Sequence, residues 1–176
     1  YLRKRVTTWD NDFIDLDFSF IGSKTLAILI HGLEGSSESK YMASTSKHLN
    51  KKGLDTVCFN LRGCSGEDNL LLGTYHNGKT EDVDFVVKHL LQNYEYDNLI
   101  IIGFSLGGNL TLKYIGEQSE NISPKIKGGI AVSDLMAGLF SAVAILAALV
   151  SRNITNQGQF IDIALLEDRK STRLNS

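Results

Sequence analysis

Hydrophobic positions along this chain switch between two rhythms, short unbroken apolar runs and stretches whose apolar residues recur every three or four positions. Thr25 to Ile30 is an unbroken run that stops at His31-Gly32-Leu33-Glu34-Gly35-Ser36-Ser37, which predicts a buried strand opening into a glycine loop. Asp55 to Asn60, carrying Thr56, Val57 and Phe59, predicts another strand, followed by the loop Leu61-Arg62-Gly63-Cys64-Ser65-Gly66-Glu67. Leu99 to Phe104 and Lys127 to Val132 predict two more. Phe13 to Phe20 differs, because Ile14, Leu16, Phe18 and Phe20 alternate with Asp15, Asp17 and Ser19, the pattern of a half-exposed strand. The helical rhythm covers Tyr41 to Lys52, with Met42, Thr45 and Leu49 on one face and Gly53 as the stop. It returns after Thr80, read as an N-cap with Glu81 and Asp82 in the first turn. There Val83, Val86, Val87, Leu90 and Leu91 draw one apolar stripe. Strands alternating with helices predict a parallel, doubly wound α/β sheet with ligands at the carboxyl ends of its strands.

Composition narrows this picture only a little. The 176 residues are 43% hydrophobic with a net charge of −2, which fits one globular domain with its own core. That balance offers no electrostatic case for nucleic acid or an anionic membrane as the main partner. Cys58 and Cys64 are too few for a disulfide framework and have no second Cys or His pair at metal-ligand spacing, so neither a metal nor a cofactor is expected. Free thiols and the lack of an apolar leader core point to a cytoplasmic location. The first residue is Tyr1 rather than Met, which reads as a trimmed start.

The chemistry concentrates at Gly103-Phe104-Ser105-Leu106-Gly107-Gly108-Asn109. An apolar strand enters this Gly-x-Ser-x-Gly turn and a helical pattern leaves it through Leu110, Leu112 and Ile115, the layout of a nucleophile elbow. Residues two before and two after the serine must be small to avoid collision, and they are Gly103 and Gly107. Ser105 is thereby lifted above the sheet edge at the positive end of a helix, where negative charge developing on attack is stabilised. The spacing is neither a dinucleotide-binding glycine motif nor a P-loop, since no Lys follows the last glycine.

With these residues in view, the stretch from about Thr7 to Ser133 resembles the α/β-hydrolase family, and within it the YheT-like esterase branch that includes the abhydrolase-domain lipases. The matching pieces are His31 to Ser37, Asn60 to Glu67, Tyr75-His76-Asn77-Gly78, Thr80-Glu81-Asp82 and Gly103 to Asn109. The resemblance implies hydrolysis of a fatty-acyl or similar small-molecule ester through an acyl-serine intermediate. It makes Ser105 the nucleophile and the backbone N–H groups of Leu33 and Leu106 the oxyanion hole. His31, Gly32, Arg62, Tyr75 and His76 are then expected to shape loop and pocket, with His31 and Arg62 bracing loops rather than entering the chemistry.

The family order places the acid and then the histidine after the serine, yet His31, His48, His76 and His89 all precede Ser105. The sequence therefore reads as the N-terminal half of a hydrolase domain over residues 1–133, truncated after the elbow half and inactive by itself for lack of the base. Leu135 to Val150 is an unbroken apolar run just short of membrane-span length, which suits a buried helix, with membrane association as the minor alternative. From about Gly129 to Glu167 the chain resembles the family III CoA-transferases, as a helix, a Gly-x-Gln-like turn and a short strand. That resemblance implies a chemical role for Asp134, which by its position reads as a helix N-cap. Asp168 to Ser176 resembles neither family and looks like translated sequencing adapter. The expected organisation is a hydrolase half at 1–133, a foreign apolar helix plus short strand at 134–167 and a non-native tail at 168–176.

Overall fold

The computed structural model describes residues 1–132 and 134–161. Six strands form one sheet: β1 (Leu2–Thr7), β2 (Phe13–Ser19), β3 (Thr25–Ile30), β4 (Asp55–Phe59), β5 (Asn98–Phe104) and β6 (Ile126–Val132), in the order β1-β2-β4-β3-β5-β6. The helices are α1 (Lys40–Lys51), α2 (Glu81–Asn93), α3 (Leu106–Gln118) and α4 (Asp134–Thr155).

The sheet is mixed rather than parallel as expected. β3 runs parallel to β4 and β5, but β1 pairs antiparallel with β2, and β2 antiparallel with β4. The sequence pattern of β1 hides it, because Leu2-Arg3-Lys4-Arg5-Val6-Thr7 shows no apolar alternation. Its partner explains the basic residues: Arg3 lies opposite Asp17 and Arg5 opposite Asp15, each pair joined by two hydrogen bonds of 2.7–2.8 Å. The same contacts correct the reading of β2 as half-exposed. Asp15 and Asp17 are buried, because β2 is flanked by β1 and β4 and its acidic positions meet arginines instead of water.

The chain moves from β3 through α1 to the neighbouring β4, then steps back across β3 through α2 to β5. Right-handed crossovers put α1 on one face and α2 and α3 on the other. Accordingly α2 touches α3, while α1 packs on β3 and β4. The reversal makes the carboxyl ends of β3 and β5 a topological switch point, the crevice where open α/β sheets bind ligands. The core beneath it joins Leu26, Ile28, Ile30, Val57, Phe59 and Ile101 to Val83, Val86, Val87 and Leu90 of α2.

Two local expectations change. The Thr80 hydroxyl donates to Glu117 of α3 instead of capping α2. On α1 the fully buried positions are Met42 and Ser46, and Ser46 hydrogen bonds Thr56 of β4 at 2.6 Å.

The chain divides into two compact units, one of residues 1–131 and one beginning at Val132. In the second, α4 realises the predicted apolar helix over 22 residues. Val143, Leu146, Val150 and Ile154 on it are exposed, against the expectation of a buried helix. Among the described residues no helix is long and apolar enough to cross a membrane. The side chain of Asp134, residues 162–167 of the expected short strand, and the tail 168–176 lie outside the described residues.

Candidate active site

β5 ends at Phe104 and α3 begins at Leu106, leaving Ser105 alone in the turn with φ 51° and ψ −116°. A non-glycine residue at this positive φ carries backbone strain, and such strain gathers at functional sites. The flanking glycines make the turn sterically feasible. A methyl group on Gly103 would sit 2.0 Å from the Gly107 carbonyl oxygen, and one on Gly107 would sit 2.3 Å from the Ile30 carbonyl oxygen. The elbow is therefore pressed onto the end of β3, and only glycine fits at either position. The Asn109 N–H bonds the Ser105 carbonyl at 3.0 Å, closing the first turn of α3. The N–H of Leu106 lies in that turn, where a helix offers no internal acceptor and its free N–H groups make the positive end of the dipole.

The loop after β3 meets the elbow. A methyl group on Gly32 would lie 3.2 Å from the Ser105 Cβ and 3.8 Å from its Oγ, so Gly32 passes against the serine. The Gly32 N–H donates to the Tyr41 hydroxyl at 3.0 Å, and the Tyr41 ring packs on Phe104 with centroids 4.9 Å apart. Tyr41 of α1 thus clamps the loop and the residue preceding the serine. Next in the chain, Leu33 is 68% exposed, and its N–H meets no acceptor among the described residues. Glu34 turns the loop back with φ 54°.

Buried polar groups hold this loop from below. His31 is wholly buried; its Nε2 accepts the Leu61 N–H at 3.0 Å, so its Nδ1 carries the proton and donates to the Gly32 carbonyl at 2.7 Å. Burial lowers the pKa of this imidazole, although the bond to Gly32 opposes the shift. Asp17 accepts from the Ser37 hydroxyl at 2.5 Å and the Asn60 amide at 2.8 Å, and the Asn60 side-chain oxygen accepts the Ser37 N–H at 2.8 Å. Burial alone would raise the Asp17 pKa, but Arg3, Ser37 and Asn60 outweigh it and hold the carboxyl below its usual range.

The other expected site residues separate into distinct places. Arg62 is buried and pairs with Asp82, Asp10 and Asp12 at 2.8–3.0 Å, tying the β1–β2 turn to the start of α2. Tyr75 stands edge-on to His31, and its hydroxyl accepts the Glu34 N–H at 2.8 Å. His76 is exposed, with its Nδ1 accepting the Gly78 N–H at 3.1 Å. The Asn109 amide reaches back to the Asn77 carbonyl at 2.7 Å, so the Tyr75–Gly78 segment is tethered to the elbow helix. A cleft of about 490 Å³ beside the loop is lined by Glu34, Ser36, Cys64, Ser65, Thr74 and Tyr75. Among the described residues no group of three His, Cys, Asp or Glu is arranged to hold a metal ion.

Sequence reasoning missed Tyr41, Asp17 and Asn60. Asp17 sits in an alternation whose polar positions match a solvent-facing strand side, and Tyr41 carries no signal beyond the first turn of a helix. His89 is half-buried, stacked on Phe85 and edge-on to Tyr94.

Comparison with known proteins agrees with this geometry. The alpha/beta hydrolase fold family matches residues 27–149. YheT of Escherichia coli is 32% identical over 123 residues, which cover 68% of this chain and 36% of YheT. The human phospholipase ABHD3 is 32% identical over 108 residues, 61% of this chain and 26% of that protein. Among solved structures, the Pyrococcus furiosus esterase Pf2001 superposes with a TM-score of 0.64 at 27% identity, covering 76% of this chain and 51% of the esterase. The chain thus spans about a quarter to a half of the length of these relatives.

Proposed function

Because the chain belongs to the alpha/beta hydrolase fold family, we propose that Ser105 is the nucleophile of a carboxylic-ester hydrolase of the YheT-like branch, acting through an acyl-serine intermediate. The observation that carries this reading is the strained Ser105 backbone, held between Gly103 and Gly107 with Gly32 pressed against its side chain. In this reading the Ser105 Oγ attacks the ester carbonyl carbon as a base takes its proton. The carbonyl oxygen becomes an oxyanion that accepts hydrogen bonds from the Leu106 and Leu33 N–H groups. The alcohol then leaves, and water releases the acid from the serine. Each oxyanion donor is worth about 3 kcal/mol of barrier. The acyl-ester substrate class takes support from similarity to a phospholipase. The small-molecule ester is the partner proposed, with no cofactor.

We also propose that residues 1–176 alone do not turn over. The base must come from a histidine within hydrogen-bond reach of Ser105. His31 has both ring nitrogens engaged, and His48, His76 and His89 sit on α1, an exposed loop and α2. A serine without its base is a poor nucleophile at neutral pH. The test is hydrolysis of short p-nitrophenyl esters with and without added imidazole. The expected result is background rate in buffer and an imidazole-dependent rate that Ser105→Ala abolishes. An imidazole effect equal in both proteins contradicts the assignment of Ser105.

The proposed organisation keeps a hydrolase half at 1–133, a foreign segment at 134–167 and an adapter-derived tail at 168–176. The family match runs past the proposed junction to residue 149. Amplifying one continuous gene encoding all three parts from source DNA would overturn that organisation.

A further inference from the structure

We propose that Tyr41 and Tyr75 are paired positioning residues whose hydroxyls hold the Leu33 N–H in place as an oxyanion donor, a role that rests on Ser105 being the nucleophile. Three consecutive N–H groups of the loop after β3 are treated differently by the fold. The Gly32 N–H donates to the Tyr41 hydroxyl at 3.0 Å, and the Glu34 N–H donates to the Tyr75 hydroxyl at 2.8 Å. Between them, the Leu33 N–H meets no acceptor among the described residues. The donor proposed for chemistry is thus free, and both of its neighbours are tied to phenol oxygens.

The direction of the free N–H is set by its own peptide plane. In a trans peptide the carbonyl and the following N–H point opposite ways. The Gly32 carbonyl accepts from the Gly35 N–H at 3.1 Å and from His31 Nδ1 at 2.7 Å, so the Leu33 N–H is turned away from both. One held plane is not enough in a loop with glycine at 32 and 35, where the backbone has wide freedom to swing. Glu34 also sits at φ 54°, which a non-glycine residue keeps only when its surroundings impose it. The two hydroxyls fix the peptide planes before and after the Gly32–Leu33 plane.

Each tyrosine also ties the loop to the elbow. The Tyr41 ring packs on Phe104, the residue before Ser105, with centroids 4.9 Å apart. A methyl group on Gly35 would lie 2.7 Å from the Tyr41 hydroxyl, so the turn closes tightly around that oxygen. Tyr75 stands edge-on to His31, and two residues later the Asn77 carbonyl accepts the Asn109 amide of α3 at 2.7 Å. The first turn of α3 carries Leu106, the other proposed donor. Two hydroxyls from separate elements therefore hold the loop of one donor to the elbow that carries the other, before any substrate binds.

The test uses the full 176-residue chain with imidazole added, comparing wild type, Tyr41→Phe and Tyr75→Phe, with Ser105→Ala as the blank. Phenylalanine keeps each ring and removes only the acceptor oxygen. In each variant kcat for Ser105-dependent hydrolysis of p-nitrophenyl acetate is expected to fall by about tenfold or more at unchanged KM. The matching thionoester should lose less, because its sulfur accepts N–H bonds weakly. Amide-resolved hydrogen exchange reads the same bonds without turnover. Gly32 and Glu34 should exchange slowly and Leu33 fast in wild type, with Gly32 released by Tyr41→Phe and Glu34 by Tyr75→Phe. Phenylalanine variants with wild-type kcat, equal losses on ester and thionoester, or Gly32 and Glu34 exchanging as fast as Leu33 in wild type would each overturn the tyrosine role and leave Ser105 standing. Wild type no faster than Ser105→Ala would instead remove the nucleophile, and the tyrosine role with it.

Discussion

Replacing Arg62 with Ala removes a guanidinium that three carboxylates share. Asp12 and Asp82 are almost wholly buried, and Asp10 is 30% exposed at its side chain. Without Arg62, at least two carboxylates remain in a dry site with no counter-charge. Breaking a buried pair by deleting one partner costs about 3–5 kcal/mol, a large share of the 5–15 kcal/mol that typically holds a domain together. With a urea m-value of about 2 kcal/mol/M, the unfolding midpoint should fall by about 2 M. Arg62→Lys should fall between, because an ammonium keeps the charge but cannot reproduce the bidentate contact with Asp82. Far-UV circular dichroism gives the midpoint. Fluorescence of Trp9, whose ring lies 5.5 Å from the guanidinium, reports release of the β1–β2 turn. A double-mutant cycle with Asp82→Asn isolates the pair. A midpoint within about 0.3 M of wild type, or no coupling in the cycle, would refute the view of Arg62 as a structural hub.

Acid should act in two stages. Burial lowers the pKa of His31 and His89, so the unfolded chain takes up protons first and stability falls as pH drops below about 6.5. Below about pH 4 a steeper loss follows, because Asp10 is held near pKa 2, where Thr8 and Arg62 outweigh its burial, and Asp12, Asp15 and Asp17 are depressed as well; a urea midpoint that stays flat from pH 7 to pH 3 would contradict this. Ser105→Gly should be more stable than Ser105→Ala by about 1 kcal/mol, the relief of a positive φ less the entropy of an added glycine; equal melting temperatures would argue against strain at the elbow. Gly107→Ala should abolish cooperative unfolding, since its methyl meets the Ile30 carbonyl at 2.3 Å. Burial pushes the Cys58 thiol up to about 11 and also raises Cys64, so Ellman's reagent should modify Cys58 only on unfolding; fast reaction of both thiols in native protein would contradict that.

The parallel core was legible because its strands are unbroken apolar runs and its helices carry clean stripes. The turn at Ser105 was legible because Gly103 is required by a local contact with Gly107, although the approach of Gly107 to Ile30 comes from across the sheet. β1 was not, since its strand character comes from charge pairing across a hairpin rather than from apolar alternation. Asp15 and Asp17 looked solvent-facing for the same reason: their partners, Arg3 and Arg5, lie in a strand the pattern did not reveal. Tyr41 was out of reach in a different way. Its contact with Gly32 exists only once α1 folds back on β3, and no local spacing encodes that approach.

The measurement that bears most directly on the central claim is fluorophosphonate labelling of the purified chain beside Ser105→Ala, with the modified residue located by mass spectrometry. The proposal that Ser105 has no base within this chain predicts no labelling of folded protein above the Ser105→Ala control. Strong labelling at Ser105 that vanishes in the control would contradict the account, because this chain would then hold an activated serine and a base of its own.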